Sequence, residues 1–360
     1  MTATLPAPQV VARPVPAAPG TTPTRRWGRG ALIGAVIGAV IGAVVVVVGV
    51  EVAGIRPTIS GALSSLVQAD RAWLLAAVVA TAASMSAFAR GRRRLLGAAG
   101  VRVPVRSAVA AIYIANAVHV TLPGGAAFST AYTYRWMRHW GASGPAATWT
   151  LVSGGLVSSA ALAALALLGS LLVGSGAGLV PLAVGLAAVA AVGLAVRRVA
   201  RRPRFVLETG RWVVRRMNVL RRRPPESGTD GVAVLVAQLG AVRPSGRDWA
   251  VAGAFATANW AFDAGCLAAC ATALGVHGLT VSLLLLTYTA GKAASQLSLL
   301  PGGLGVVDAA LVLTLVGGGI PTAAAVATVL LYRLISLIGV VAVGWVVAGV
   351  QGVRAPVVVA

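Results

Sequence analysis

Acidic residues are scarce in this chain: eight Asp and Glu stand among 360 positions, against thirty Lys and Arg. Histidine occurs three times and cysteine twice. With so few carboxylates, imidazoles and thiols, the sequence offers no nucleophile–base pair and no cluster with metal-ligand spacing, and it contains no phosphate-loop motif. It predicts no enzyme, no metal and no cofactor. Cys266 and Cys270 lie four residues apart in an apolar run and share a helix face, where small packing residues are the expected role. Lysine appears once, at Lys292; every other basic position is arginine.

Charge is thin overall. Charged residues make up 11% of the chain and hydrophobic ones 58%, with a mean hydropathy of +0.87, where a soluble domain carries about 25% charged residues. Lipid is the expected solvent. The net charge of +22 is concentrated in arginine clusters between long apolar runs, a pattern that suits loops facing an anionic leaflet and argues against a nucleic-acid groove.

Residues 1–29 read as a disordered cytoplasmic tail, rich in Pro, Ala and Thr up to Thr24 and basic after it. The run 31–50 is too long for a signal-peptide core and no cleavage site follows, so it is expected to stay as an anchor. Its Gly34, Gly38 and Gly42 leave one face bare for helix packing. Further runs of spanning length cover about 72–89, 146–172, 178–196, 249–275 and 321–350. Two other apolar stretches, 107–139 and 280–317, are interrupted by Leu122-Pro123-Gly124-Gly125 and Leu300-Pro301-Gly302-Gly303. Proline removes a donor and glycine permits positive φ, so each helix breaks there. Each following arm has about 14 residues, roughly 21 Å, short of a hydrocarbon core of about 30 Å.

Charge bias chooses the topology. The basic segments at Arg25–Arg29, Arg90–Arg94, Tyr134–Arg138 and 197–224 all fall on the cytoplasmic side if the first broken stretch returns to its own side, and both broken stretches are accordingly read as re-entrant. The prediction is an all-α polytopic membrane protein with about six transmembrane helices and two re-entrant hairpins. Its membrane domain is 30–350, with a basic cytoplasmic loop at 197–247 and a cytoplasmic tail at 351–360. Within that loop, Arg211 to Arg223 reads either as an interfacial helix or as a solvated connector.

Leu122 and Leu300 are 178 positions apart, and the same offset pairs Gly141 with Gly319, Ala146 with Ala324 and Thr150 with Thr328. The chain therefore contains two related segments, about 107–196 and 280–350, and the topology makes them an inverted repeat. Inverted repeats with broken helices recur in transporters, because exchanging the conformations of the halves moves a central site between the two sides.

These residues resemble a known family, the transmembrane, flippase-like region of lysylphosphatidylglycerol synthases and its stand-alone relatives. The likeness is carried by Ala115-Asn116-Ala117 through Gly125, Tyr134-Arg135, Gly141, Asn259-Trp260, Asp263, Leu300 to Asp308 and Leu331-Tyr332-Arg333. It implies movement of phospholipids or lipid-linked intermediates between the leaflets of the bacterial inner membrane. Many relatives carry a Glu-Arg pair where this chain has Gly154-Gly155, and Glu where it has Asp308. The aminoacyltransferase domain of fused members is not expected after residue 350, which leaves synthesis of the lipid to another polypeptide.

The ionisable residues within apolar regions are His119, Asp263, Lys292, Asp308 and Arg333, each costing upwards of about 2.5 kcal/mol at the bilayer centre unless paired or hydrated. Either they neutralise one another and pin the second hairpin, or Lys292 and Arg333 contact a lipid phosphate while the acids hold them in the empty site. The breaks at Pro123, Gly124, Gly125 and at Pro301, Gly302, Gly303 would add positive helix N-termini near the midplane. Tyr332 neighbours Arg333. In the first half, Asn116 and His119 share a face suited to hydrogen bonding across the hairpin. Tyr134 and Arg135 either anchor the interface or capture a headgroup. The expected activity is transport of an anionic phospholipid or lipid-phosphate conjugate. The alternatives are a non-catalytic subunit that docks a separate lipid synthase or glycosyltransferase, and a carrier of a small soluble solute.

Overall fold

The computed structural model describes residues 69–122, 124–172, 244–297 and 301–351, with scattered positions between 208 and 242. The expected spans 31–50 and 178–196, both tails, Pro123 and most of the basic loop lie outside the described residues. Among the described residues no strand occurs. In hydrocarbon a helix is one of the few structures that satisfies every backbone donor and acceptor internally.

Nine helices are described: α1 Arg71–Ala98, α2 Val105–Thr121, α3 Gly125–His139, α4 Gly144–Leu172, α5 Gly246–Ala273, α6 Val281–Leu297, α7 Val306–Gly317, α8 Thr322–Arg333 and α9 Val340–Val350. A π turn at Leu334–Gly339 joins α8 to α9, so that Thr322–Val350 runs as one helix of 29 residues. That helix, α1 and α4 are long and apolar enough to cross a membrane. The chain is an all-helical, multi-pass membrane protein.

Local sequence sets the helix starts. Asp70 accepts from the Ala72 amide at 2.7 Å to cap α1. Ser245 and Asp248 form a reciprocal capping box at α5, meeting two amides that would otherwise lack partners. Pro104 and Pro321 precede α2 and α8, where their missing N–H costs nothing.

α1 and α5 pack antiparallel along their length. The Asp70 amide donates to the Ala273 carbonyl at one end, and Arg94 pairs with Asp248 at 2.7 Å at the other. Midway, Ser84 donates to Asn259 Oδ1 at 3.0 Å. Small residues allow the approach: a Cβ on Gly91 would lie 3.3 Å from the Phe255 Cβ.

Both broken stretches are hairpins. In the second, Leu283 lies against Gly318, Gly291 against Leu311, and Ser295 against Gly303. Residues rising along α6 thus meet residues falling along α7. In the first, Gly125 abuts the His119 carbonyl, and Trp136 near the end of α3 packs on the cluster of Ala89, Ala108 and Ile112, which includes the start of α2.

The hairpins open at opposite ends of the α1–α5 pair. Met137 of α3 packs with Leu96, Val103 and Ala146 beside the Arg90–Arg94 cluster. Ile320, just after α7, approaches Gly278, just after α5, at the Asp70 end. Tryptophans gather at the Arg94 end, where Trp149 and Trp249 stand with ring centroids 6.0 Å apart, as an interfacial aromatic belt requires.

The repeat is visible in the coordinates. Shifted by 178 positions, Gly144–Leu172 becomes Thr322–Val350 at both ends. The left-handed Gly124 (φ 68°) and Gly141 (φ 88°) fall on Gly302 (φ 67°) and Gly319 (φ 91°). Thr150 and Thr328 are both buried, and each donates at 2.8 Å to the alanine carbonyl one turn earlier. A shift of 175 takes Arg71–Ala98 onto Gly246–Ala273.

Candidate functional site

Asp263 lies on the buried face of α5, 8% exposed, within the cluster of Cys266, Leu267, Leu311 and Tyr332. Tyr288 and Lys292 come from one face of α6, four residues apart. The Lys292 ammonium is 2.7 Å from Asp263 Oδ2. The Tyr288 hydroxyl donates to the same oxygen at 2.7 Å, and the Tyr332 hydroxyl donates to Oδ1 at 3.2 Å. The carboxylate therefore has three donors, the satisfaction that a charge in a low-dielectric interior demands.

Two aromatic faces also receive the ammonium, with Nζ 5.4 Å from the Trp260 ring centre and 5.1 Å from that of Tyr288. Trp260 is held in turn by its indole N–H, which donates to the Ser158 carbonyl at 2.8 Å. The pair is unequally shielded: the Lys292 side chain is 27% exposed and that of Asp263 is 11%. The ammonium is the part of this cluster that an incoming group meets.

Arg333 is adjacent in sequence to Tyr332 but faces elsewhere. It pairs with Asp308 at 2.5 Å and donates to the carbonyls of Gly302 and Gly303 at 3.1 and 3.5 Å. Asp308 also accepts from the Gly305 amide at 3.0 Å. Arg333 is thereby a clasp on the Pro301–Gly303 turn, with its donors engaged within the protein. Here the geometry differs from an open helix terminus: α7 starts only at Val306, and the Asp308 carboxylate in its first turn already meets the amide of Gly305, the residue that caps it.

The turn glycines have a steric reason. Gly302 and Gly303 adopt φ of 67° and 68°, where a side chain is strained. At Gly125 a Cβ would clash outright with the His119 carbonyl.

The first-half residues do not join this cluster. The Asn116 amide donates back to the Ile112 carbonyl at 2.9 Å, and His119 is exposed near the turn. Tyr134 packs on the Leu96–Met137 cluster at the Arg94 end, and Arg135 is half-buried on the same helix. Lys292 and Asp308 stand at similar depth on opposite arms of the second hairpin, yet each takes a different partner. Trp260, marked in the sequence only as part of the family likeness, and Tyr288, not marked there, complete the charged cluster; the spacing of Tyr288 to Lys292 was the available signal. By the repeat offsets, the positions matching Asp263, Lys292, Asp308, Tyr332 and Arg333 are Phe88, Ile114, Thr130, Gly154 and Gly155. The charge belongs to one half only.

A family model described as the lysylphosphatidylglycerol synthase TM region matches residues 31–344. No curated protein matches the chain.

Proposed function

The chain belongs to the lysylphosphatidylglycerol synthase transmembrane-region family, and from that premise we propose that it moves an anionic phospholipid or lipid-phosphate conjugate between leaflets of a bacterial inner membrane. In this reading both termini are cytoplasmic and the chain performs no bond-making chemistry of its own.

The observation that carries the reading is the Lys292–Asp263 pair, set beside a broken helix in an inverted repeat. A headgroup phosphate reaching Lys292 exchanges one anionic partner for another, so the ammonium is never left unpaired. Asp263 keeps the hydroxyls of Tyr288 and Tyr332 when Lys292 turns away. That exchange lowers the cost of a charge in the membrane interior, the main barrier to headgroup passage. Alternation of the two halves would then carry the headgroup past the midplane.

The test uses purified full-length chain in liposomes containing fluorescent phosphatidylglycerol in both leaflets, quenched from outside by dithionite. Quenching beyond the outer-leaflet fraction supports the function. Quenching equal to that of protein-free vesicles contradicts it.

A further inference from the structure

Asp263 and Asp308, the two carboxylates in apolar sequence, are held by different kinds of partner. Asp308 accepts from the Arg333 guanidinium and the Gly305 amide. Both partners donate and neither can accept, so a proton placed on Asp308 would have nowhere to point among them. Asp263 accepts from the Lys292 ammonium and from the hydroxyls of Tyr288 and Tyr332. A hydroxyl accepts as well as it donates, so rotation of one phenolic O–H lets a protonated Asp263 donate where the ionised form accepted. Lys292 is the more exposed member of its pair and sits on a flexible stem, which makes it the partner that can leave. Of the two carboxylates, only Asp263 has partners suited to both of its protonation states.

Among the described residues no further charge competes with this pair. α6 contributes Lys292 and Tyr288, α8 contributes Tyr332, and Cys266 lies three residues along α5 itself. α1 presents Thr81 and Ser84, which bond to Cys266 and Asn259; its arginines, Arg71 and Arg90 onward, lie about two turns or more from the level of Asp263. α4 has no titratable side chain within Gly144–Leu172 and meets the cluster through the Ser158 carbonyl on Trp260. α7 carries Asp308, which Arg333 engages.

The charge sum then decides what must travel. In the empty site Lys292 and Asp263 cancel. A phosphodiester monoanion on Lys292 would leave an ionised Asp263 as a net negative charge in the interior, and a carboxylate stranded in low dielectric neutralises by taking up a proton. With Asp263 protonated, the loaded site is neutral again.

We propose that the site is a proton–lipid symporter, in which Asp263 carries one proton with each lipid monoanion. This deepens the translocation reading and rests on it. Water entering with the headgroup supplies the proton; on the far side the phosphate departs, Lys292 returns to Asp263 and the proton passes back to water. No bond of the lipid is made or broken, and one positive and one negative charge cross together. The proton gradient drives the cycle, and the membrane potential does not.

The test follows trace fluorescent phosphatidylglycerol in phosphatidylcholine vesicles holding the full chain, with dithionite reading the outer-leaflet share at a fixed external pH. With the lumen one pH unit more acid, the label should gather about tenfold in the outer leaflet; with the lumen one unit more alkaline, it should gather about tenfold in the inner one, since one proton balances one lipid. A potassium diffusion potential of about 60 mV, enough to shift an unaccompanied monovalent anion about tenfold, should leave the leaflets equal. Protein-free vesicles give the baseline. Folded Asp263→Asn should show no bias under either pH gradient, whatever its rate of exchange. Exchange at uniform pH without bias under a pH gradient overturns the coupling and leaves translocation standing, and a bias set by the potential overturns the coupling too. Absence of exchange under every condition removes translocation and the coupling with it. A pH bias that survives in folded Asp263→Asn overturns the role of Asp263; should that variant not fold, the wild-type comparison of pH gradient with potential decides alone.

Discussion

Ser84 and Asn259 share a hydrogen bond of 3.0 Å across 175 positions of sequence, and 175 is the same offset that carries α1 onto α5. Each residue thus meets its own counterpart. In an antiparallel pair this happens only on a two-fold axis perpendicular to both helices. With α1 crossing a bilayer and α5 packed antiparallel along it, that axis lies in the membrane plane, and the halves are inverted.

The inversion predicts opposite exposure of related loops. Arg102 and His277 are both exposed and are related by that offset. In intact cells, Arg102→Cys and His277→Cys should react with a membrane-impermeant maleimide from opposite sides. The native Cys266 and Cys270 are buried and should contribute little background. Labelling of both from one side contradicts the inverted arrangement.

Asp263 and Lys292 should be coupled. Lys292→Ala leaves a buried carboxylate with only its two tyrosine partners, and should lower stability by about 3 kcal/mol. Asp263→Asn in the same chain should recover part of that loss, with an interaction energy of about 1–3 kcal/mol in a double-mutant cycle. Strictly additive effects in detergent unfolding would mean that the pair contributes nothing to the fold.

Gly344 is a close-packing point. A Cβ there would lie 2.7 Å from the Ala117 Cβ and collide with the Tyr113 backbone, whereas Gly349 on the same helix has open space. Gly344→Ala should destabilise the protein by about 1–3 kcal/mol, and Gly349→Ala should be neutral or slightly stabilising through helix propensity. Thermal unfolding of the two variants side by side checks this.

The Asp248 carboxyl titrates below its ordinary range, held down first by hydrogen bonds from Ser245 and then by Arg94. A group whose folded pKa is depressed contributes stability above its unfolded pKa, about 3.9, and loses it as pH falls through the folded value. Wild type should therefore weaken on acidification below about pH 4 more steeply than Asp248→Asn. Parallel acid profiles would show that the cap and the Arg94 pair do not matter to folding.

Among the described residues, the helices, their breaks and the repeat were legible because each rests on a local rule: apolar length for spans, Pro-Gly-Gly for the hairpin turns, a fixed offset for the repeat. The partners at the site were less so. Tyr288 was missed because a tyrosine in an apolar run looks like packing until Asp263, 25 positions earlier, is seen beside it. Arg333 was grouped with Lys292 because both are cations in apolar sequence. Only the folded turn shows that its guanidinium is engaged by Asp308 and two carbonyls, while Lys292 keeps the greater exposure.

That difference yields the most direct measurement of the central claim: the rate of phosphatidylglycerol exchange between leaflets in proteoliposomes of folded wild type, Lys292→Ala and Arg333→Lys. The account predicts loss of at least about tenfold in Lys292→Ala, the effect of about 1.4 kcal/mol on a barrier. It predicts a smaller loss in Arg333→Lys, which keeps the charge beside Asp308. An undiminished rate in Lys292→Ala would contradict it, whatever the other variant does.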